Sequence, residues 1–139
     1  MNFLPEDDQQ FLIAKELAHE LKIERLPDGN ERRGVLFPGF SFAGNLASII
    51  DEKLVPCSRC DIVVLIPSGY STTRLDSFYT SPRLRRLDGG DPHQAAGEQD
   101  LFGSKWQFWS RHLDDSDWRD GQDGLETFLQ YVRDELRKA

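Results

Sequence analysis

Ser110, Arg111 and His112 stand together in the chain, and Asp114, Asp115 and Asp117 follow at once. In an extended segment alternate residues share a face, so Ser110 and His112 would point the same way, with one of the three carboxylates free to orient the ring. The chemistry this suits is nucleophilic: the hydroxyl attacks, the imidazole takes its proton and the carboxylate holds the imidazole. Two features weigh against a hydrolase. Triads draw their members from separate elements and are recognised by geometry, and no G-x-S-x-G elbow is present. The plainer alternative for His112 is a structural hydrogen bond beneath Trp106, Trp109 and Trp118, and for the acidic run a solvated turn. A third reading, an aromatic-lined pocket for a small ligand, rests on the tryptophans alone.

Other motifs carry less. Cys57 and Cys60 form one C-x-x-C without a second pair, and they precede an apolar strand instead of opening a helix, so neither zinc nor redox chemistry fits well. No G-x-x-x-x-G-K-[ST], G-x-G-x-x-G or H-E-x-x-H is present, and no cofactor is expected. Arg83, Arg85 and Arg86 form a basic cluster that is either a solvated loop edge or a docking patch. His19, alone beside a helical stripe, reads as a surface or core-edge residue.

The elements that must position these groups fit one domain spanning residues 1–139, long enough for a single core. With 38% hydrophobic and 29% charged residues, the composition suits a soluble globular protein, and no apolar run reaches a bilayer-spanning length, so no membrane partner is expected. The acidic N-terminus lacks the features of a secretory signal, which points to the cytoplasm. A net charge of −7 repels phosphates and argues against nucleic acid as a partner.

Proline and three carboxylates at residues 5–8 open a first helix, and Phe11, Ala14, Leu17, Ala18 and Leu21 continue it as one apolar stripe. A short strand over 22–26 and a turn at Pro27-Asp-Gly-Asn30 come next. Residues 34–42 read as a strand kinked at Pro38-Gly39, and 60–66 as a central strand with both faces covered. Residues 75–79 complete a four-stranded antiparallel meander. From 81 to 105 the pattern is that of a long loop, leading to the aromatic-rich passage at 106–118. A C-terminal helix then opens with Asp123 as N-cap and Glu126 reaching back, its apolar face made by Leu125, Phe128, Leu129, Val132 and Leu136. The class is α+β.

Taken in order, Leu65-Ile-Pro67-Ser-Gly-Tyr70, Asp76-Ser-Phe78-Tyr79, Trp106-Gln-Phe-Trp109-Ser110-Arg111-His112 and Trp118-Arg-Asp-Gly-Gln-Asp123 resemble the prokaryotic ubiquitin-conjugating family E, whose fold is the ubiquitin-conjugating (UBC) fold. The resemblance runs from about Gly34 onward. Ser110 lies eight residues before Trp118, the spacing at which the catalytic cysteine of ubiquitin-conjugating enzymes precedes a tryptophan. By the same match Tyr70 is the turn tyrosine, Ser71 replaces its proline, and Ser110 replaces the cysteine. The His-Pro-Asn signature is absent, the loop offering Asp91-Pro92-His93 instead. A serine hydroxyl needs a base and gives a far less activated ester than a thiol gives thioester. The resemblance therefore implies a non-catalytic UBC-type module that binds a ubiquitin-like protein or its activating enzyme, through a site including Tyr70, Trp109, Arg111 and Trp118. The alternative it implies is a divergent conjugating enzyme, with Ser110 carrying the ubiquitin-like protein as an oxyester and His112 as base. Implied partners are a ubiquitin-like protein, an activating-enzyme homologue and a JAB-type metallopeptidase.

Overall fold

The computed structural model describes residues 2–139, the side chain of Asp115 excepted. Helix α1 spans Glu6–Ala14, with Glu6, Asp7 and Asp8 in its first turn against the positive end of the helix dipole. It is shorter than the apolar stripe predicts. The Leu17 N–H folds back onto Leu12 O, and Glu16 takes a left-handed conformation at φ +50°, closing the helix. Leu21, the last residue of that stripe, belongs instead to strand β1 (Glu20–Arg25), where it sits opposite Val35. Spacing alone could not separate the two, because Leu17, Leu21 and Ile23 fit both a helical and an alternating pattern.

Strand β2 (Glu31–Ile50) pairs antiparallel with β1 and with β3 (Lys53–Ile66). The β1–β2 turn is the expected one at 27–30, closed by Leu26 N–H to Asn30 O at 2.8 Å. β2 bends through register shifts between Phe37 and Phe40 and between Ser41 and Leu46, the first at the predicted Pro38-Gly39 kink. At the second bend Gly44 sits at φ +144°, where a Cβ would meet the Leu136 carbonyl at 2.8 Å. Helix and strand approach there too closely for a side chain. The β2–β3 turn is Asp51-Glu52, both at positive φ in the manner of a two-residue hairpin, and carries none of the glycine or asparagine that usually betrays one.

Strands β4 (Phe78–Ser81), β5 (Arg85–Arg86), β6 (Gly97–Leu101) and β7 (Ser104–Trp109) complete a curled antiparallel sheet in the order β1-β2-β3-β4-β7-β6, with β5 on β2. Residues 81–105 are thus not one long loop but contribute two strands. Gly97-Glu-Gln-Asp-Leu101 is an edge strand whose first four residues are all exposed, so no apolar alternation marked it. The hairpin tip folds Phe102 over Gly34, where a Cβ would lie 2.9 Å from the phenyl ring.

Helix α2 (Leu125–Lys138) buries Leu125, Phe128, Leu129, Val132 and Leu136 against the inner sheet face, each worth roughly 2 kcal/mol. A smaller cluster of Val63, Tyr79, Leu101 and Trp106 lies on the other face. The apolar run at 60–66 is covered on both sides, Ile62 and Val64 by one cluster and Val63 by the other. The N-terminus of α2 departs from expectation. Gly124, not Asp123, is the N-cap residue, and the Leu125 N–H is taken by Asp8 of α1. Asp123 instead accepts from Thr127 Oγ1 and Arg119. Among the described residues no helix is long and apolar enough to cross a membrane.

Candidate functional site

The β4–β7 ladder ends at the pair Phe78 and Trp109, whose rings stack at 5.3 Å. Beyond it the two chains stay side by side, but side chains hold them in place of a ladder. Ser77 Oγ donates to Arg111 O at 3.1 Å and accepts the Arg111 N–H at 3.2 Å. Asp76 Oδ1 accepts the Leu113 N–H, and its Oδ2 lies 3.1 Å from His112 Nδ1. Arg74 donates to Leu113 O at 2.6 Å. Residues 111–113 are therefore pinned along their backbone, and the His112 side chain projects outward, 77% exposed.

Ser110 is exposed at the end of β7, its N–H donating to Gln94 O at 2.9 Å. Among the described residues its hydroxyl has no hydrogen-bond partner. The imidazole is turned to Asp76, a residue the run of aspartates downstream had hidden. Asp114 and Asp117 are exposed and make no bond to the ring, and the Asp115 side chain lies outside the described residues.

None of the four residues assigned to binding is exposed. Trp109 is fully buried, with its Nε1–H on Thr80 Oγ1 at 2.9 Å. Trp118 is buried too, donating to Ser71 O at 3.1 Å and lying 6.4 Å from the Tyr70 ring. Tyr70 is half-buried and donates to Asp8 Oδ2 at 2.5 Å. Burial, then the Asp8 hydrogen bond and charge, push its phenol well above the usual range. The Arg111 side chain is 9% exposed: its Nε meets Glu135 Oε1 at 2.6 Å, its Nη1 donates to His93 O and Ser110 O, and its guanidinium lies over the Trp109 ring. These side chains shape the exposed edge from below, and Ser110 and His112 form it.

Tyr131 of α2, unmarked in the sequence beyond its helical position, belongs to the same neighbourhood. Burial, followed by the negative charge of Glu135, pushes its hydroxyl up to about 12, with Asp76 and Asp117 adding to the effect. A groove of about 590 Å³ borders Asp76 and takes Tyr79 and Phe108 as its aromatic lining.

The remaining candidates lie elsewhere. Cys60 is buried where β3 leaves the β2 bulge, opposite Phe40, and burial holds its thiol well above the ordinary range. A thiolate there is disfavoured. Cys57 is half-buried and its thiol bonds Arg59 O. The register of β3 with β4 sets Asp61 opposite Ser81, so both cysteines lie toward the end of β4 away from Ser77. Arg83 and Arg85 share Asp91, and Arg86 pairs with Asp88. His19 bonds Leu17 O through Nδ1. Among the described residues no group of three or more His, Cys, Asp or Glu side chains is arranged to hold a metal ion.

A family model described as prokaryotic E2 family E matches residues 4–139. No curated protein and no solved structure matched.

Proposed function

We propose a docking role for this chain, which belongs to prokaryotic E2 family E and is therefore a ubiquitin-conjugating-like protein. The two helices and the curled antiparallel sheet are compatible with a UBC-type domain, in which the reading puts Ser110 at the position of the catalytic cysteine. In this reading it is a non-catalytic cytoplasmic module that binds a ubiquitin-like protein, its activating enzyme, or both.

The observation that carries the reading is the state of Ser110. An oxyester carrier needs a base on its hydroxyl, and among the described residues the Ser110 hydroxyl has no hydrogen-bond partner, the His112 ring being turned to Asp76. Neither cysteine supplies a substitute, one being buried and both lying away from this edge. The exposed edge at Ser110 and His112, backed by the buried Arg111, Trp109 and Trp118, is a rigid surface suited to recognition.

One observation favours the second reading, a divergent conjugating enzyme with the ubiquitin-like protein on Ser110. The Asp76–His112 pair is the orienting half of a base, and an incoming partner could close the remaining distance. The genomic neighbours expected of either role are an activating-enzyme homologue, a protein of ubiquitin-like repeats and a JAB-type metallopeptidase.

Calorimetric titration of the chain with a ubiquitin-like protein and with an activating-enzyme homologue of the proposed pathway tests the docking role. Binding that survives Ser110→Ala supports it, and absence of binding to both overturns it.

A further inference from the structure

His112 is the most exposed side chain of the pinned segment, yet its surroundings are the most constrained. Leu113 is held at both N–H and C=O, Arg111 at both N–H and C=O, and the ring itself at Nδ1. A carboxylate that only capped the Leu113 N–H would need one oxygen. Asp76 uses its second oxygen on the imidazole.

We propose that Asp76 is the positioning residue for His112, fixing its ring so that Nε2 is presented at the Ser110 edge as a bare acceptor for a hydrogen-bond donor of a docked partner. A carboxylate can only accept hydrogen bonds, so the group it faces must donate: in the neutral ring Nδ1 carries the proton and Nε2 keeps its lone pair. Asp76 cannot turn away without releasing the Leu113 N–H, which the Ser77 and Arg74 contacts hold in register. That the donor belongs to a docked protein rests on the conjugating-like reading above. The tautomer does not.

The test is a long-range proton–nitrogen spectrum of the histidine rings, taken on the full chain above the imidazole titration, with His112→Gln identifying the His112 signals. The expected wild-type state is Nδ1–H with an unprotonated Nε2. In Asp76→Asn the single amide oxygen stays on the Leu113 N–H, the NH₂ faces the ring, and the tautomer inverts to Nε2–H. Asp76→Ala releases the ring to a mixture of both forms. Carbethoxylation by diethyl pyrocarbonate, followed by peptide mass, reads the lone pair independently: His112 is modified several-fold more slowly in Asp76→Asn than in wild type. A wild-type His112 found as Nε2–H, or as the same mixture as Asp76→Ala, overturns the proposal whether or not the variants fold. So does an unchanged tautomer in a folded Asp76→Asn. Neither readout uses a partner protein, so failure here is distinct from failure of the docking role.

Discussion

Asp8 Oδ1 accepts the N–H of Leu125 at 3.1 Å, across 117 residues of chain, and so caps the first turn of α2 from within α1. The second oxygen of the same carboxylate takes the Tyr70 hydroxyl at 2.5 Å. One buried side chain thereby joins both helices to the turn that supports Trp118. Burial raises the Asp8 carboxyl above its ordinary range even though both hydrogen bonds favour the ion.

That carboxyl gives stability a pH signature. A raised folded-state value means that the native chain holds the Asp8 proton more tightly than the unfolded chain, so its contribution is fully present below the unfolded carboxylate value of about 4 and is lost as pH rises through the folded value. Asp123 works in the opposite sense. Its hydrogen bonds from Arg119 hold its carboxyl at about 2, so its contribution is present above about 4 and lost as pH falls toward 2. Thermal unfolding is therefore expected to shift upward as pH is lowered from 7 toward 4 and downward below. Asp8→Asn should flatten the first limb and Asp123→Asn the second. Equal slopes in wild type and Asp8→Asn would contradict this account of Asp8.

Gly124 leaves the space that Asp8 occupies. Its φ of −155° is open to any residue, but a Cβ there would collide with Asp8 Oδ1 and come within 3.0 Å of the Tyr70 hydroxyl. Gly124→Ala should cost about 1–2 kcal/mol in urea unfolding, the scale of a lost helix cap. In an Asp8→Ala background the same substitution should cost much less, and additive costs would show that the two residues are independent.

Arg111 and Glu135 form the ion pair that fastens α2 beneath the Ser110 edge, both side chains largely buried. Arg111→Met should cost about 3 kcal/mol because it strands a buried carboxylate, with Lys138 on the other Glu135 oxygen giving partial relief. The double substitution Arg111→Met with Glu135→Leu should recover much of that loss. Urea midpoints of the three proteins decide it.

Trp118 and Ser110 should separate cleanly. Trp118→Ala removes a buried ring that packs beside Tyr70 and should cost about 3–5 kcal/mol. Ser110→Ala alters an exposed hydroxyl and should stay within about 0.5 kcal/mol of wild type. Calorimetric scans of the two variants test the contrast.

What the sequence made legible follows from where its signals are local. The apolar face of α2, the run at 60–66 and the kink at Pro38-Gly39 depend on residue type and short spacing, and each stands where expected. The end of α1, the β2–β3 turn and the edge strand β6 depend on partners far along the chain: Leu21 finds Val35, Asp51-Glu52 turn without glycine, and Gly97–Leu101 is defined only by pairing with β7. The site divides in the same way. Ser110, His112 and Trp118 stood out by type and order, whereas Asp76, thirty-six positions before His112, and Asp8, on the first helix, carried no local mark of their roles.

The most direct measurement is the intact mass of the chain after incubation with the proposed ubiquitin-like protein, an activating-enzyme homologue, ATP and magnesium, beside Ser110→Ala and Cys57→Ala/Cys60→Ala controls. The docking account predicts a charged activating enzyme and detectable binding with no covalent adduct on this chain. An adduct that resists mild thiol, is removed by base and is lost only in Ser110→Ala would contradict it and establish an oxyester carrier. A thiol-labile adduct lost with the cysteines would contradict both readings of Ser110.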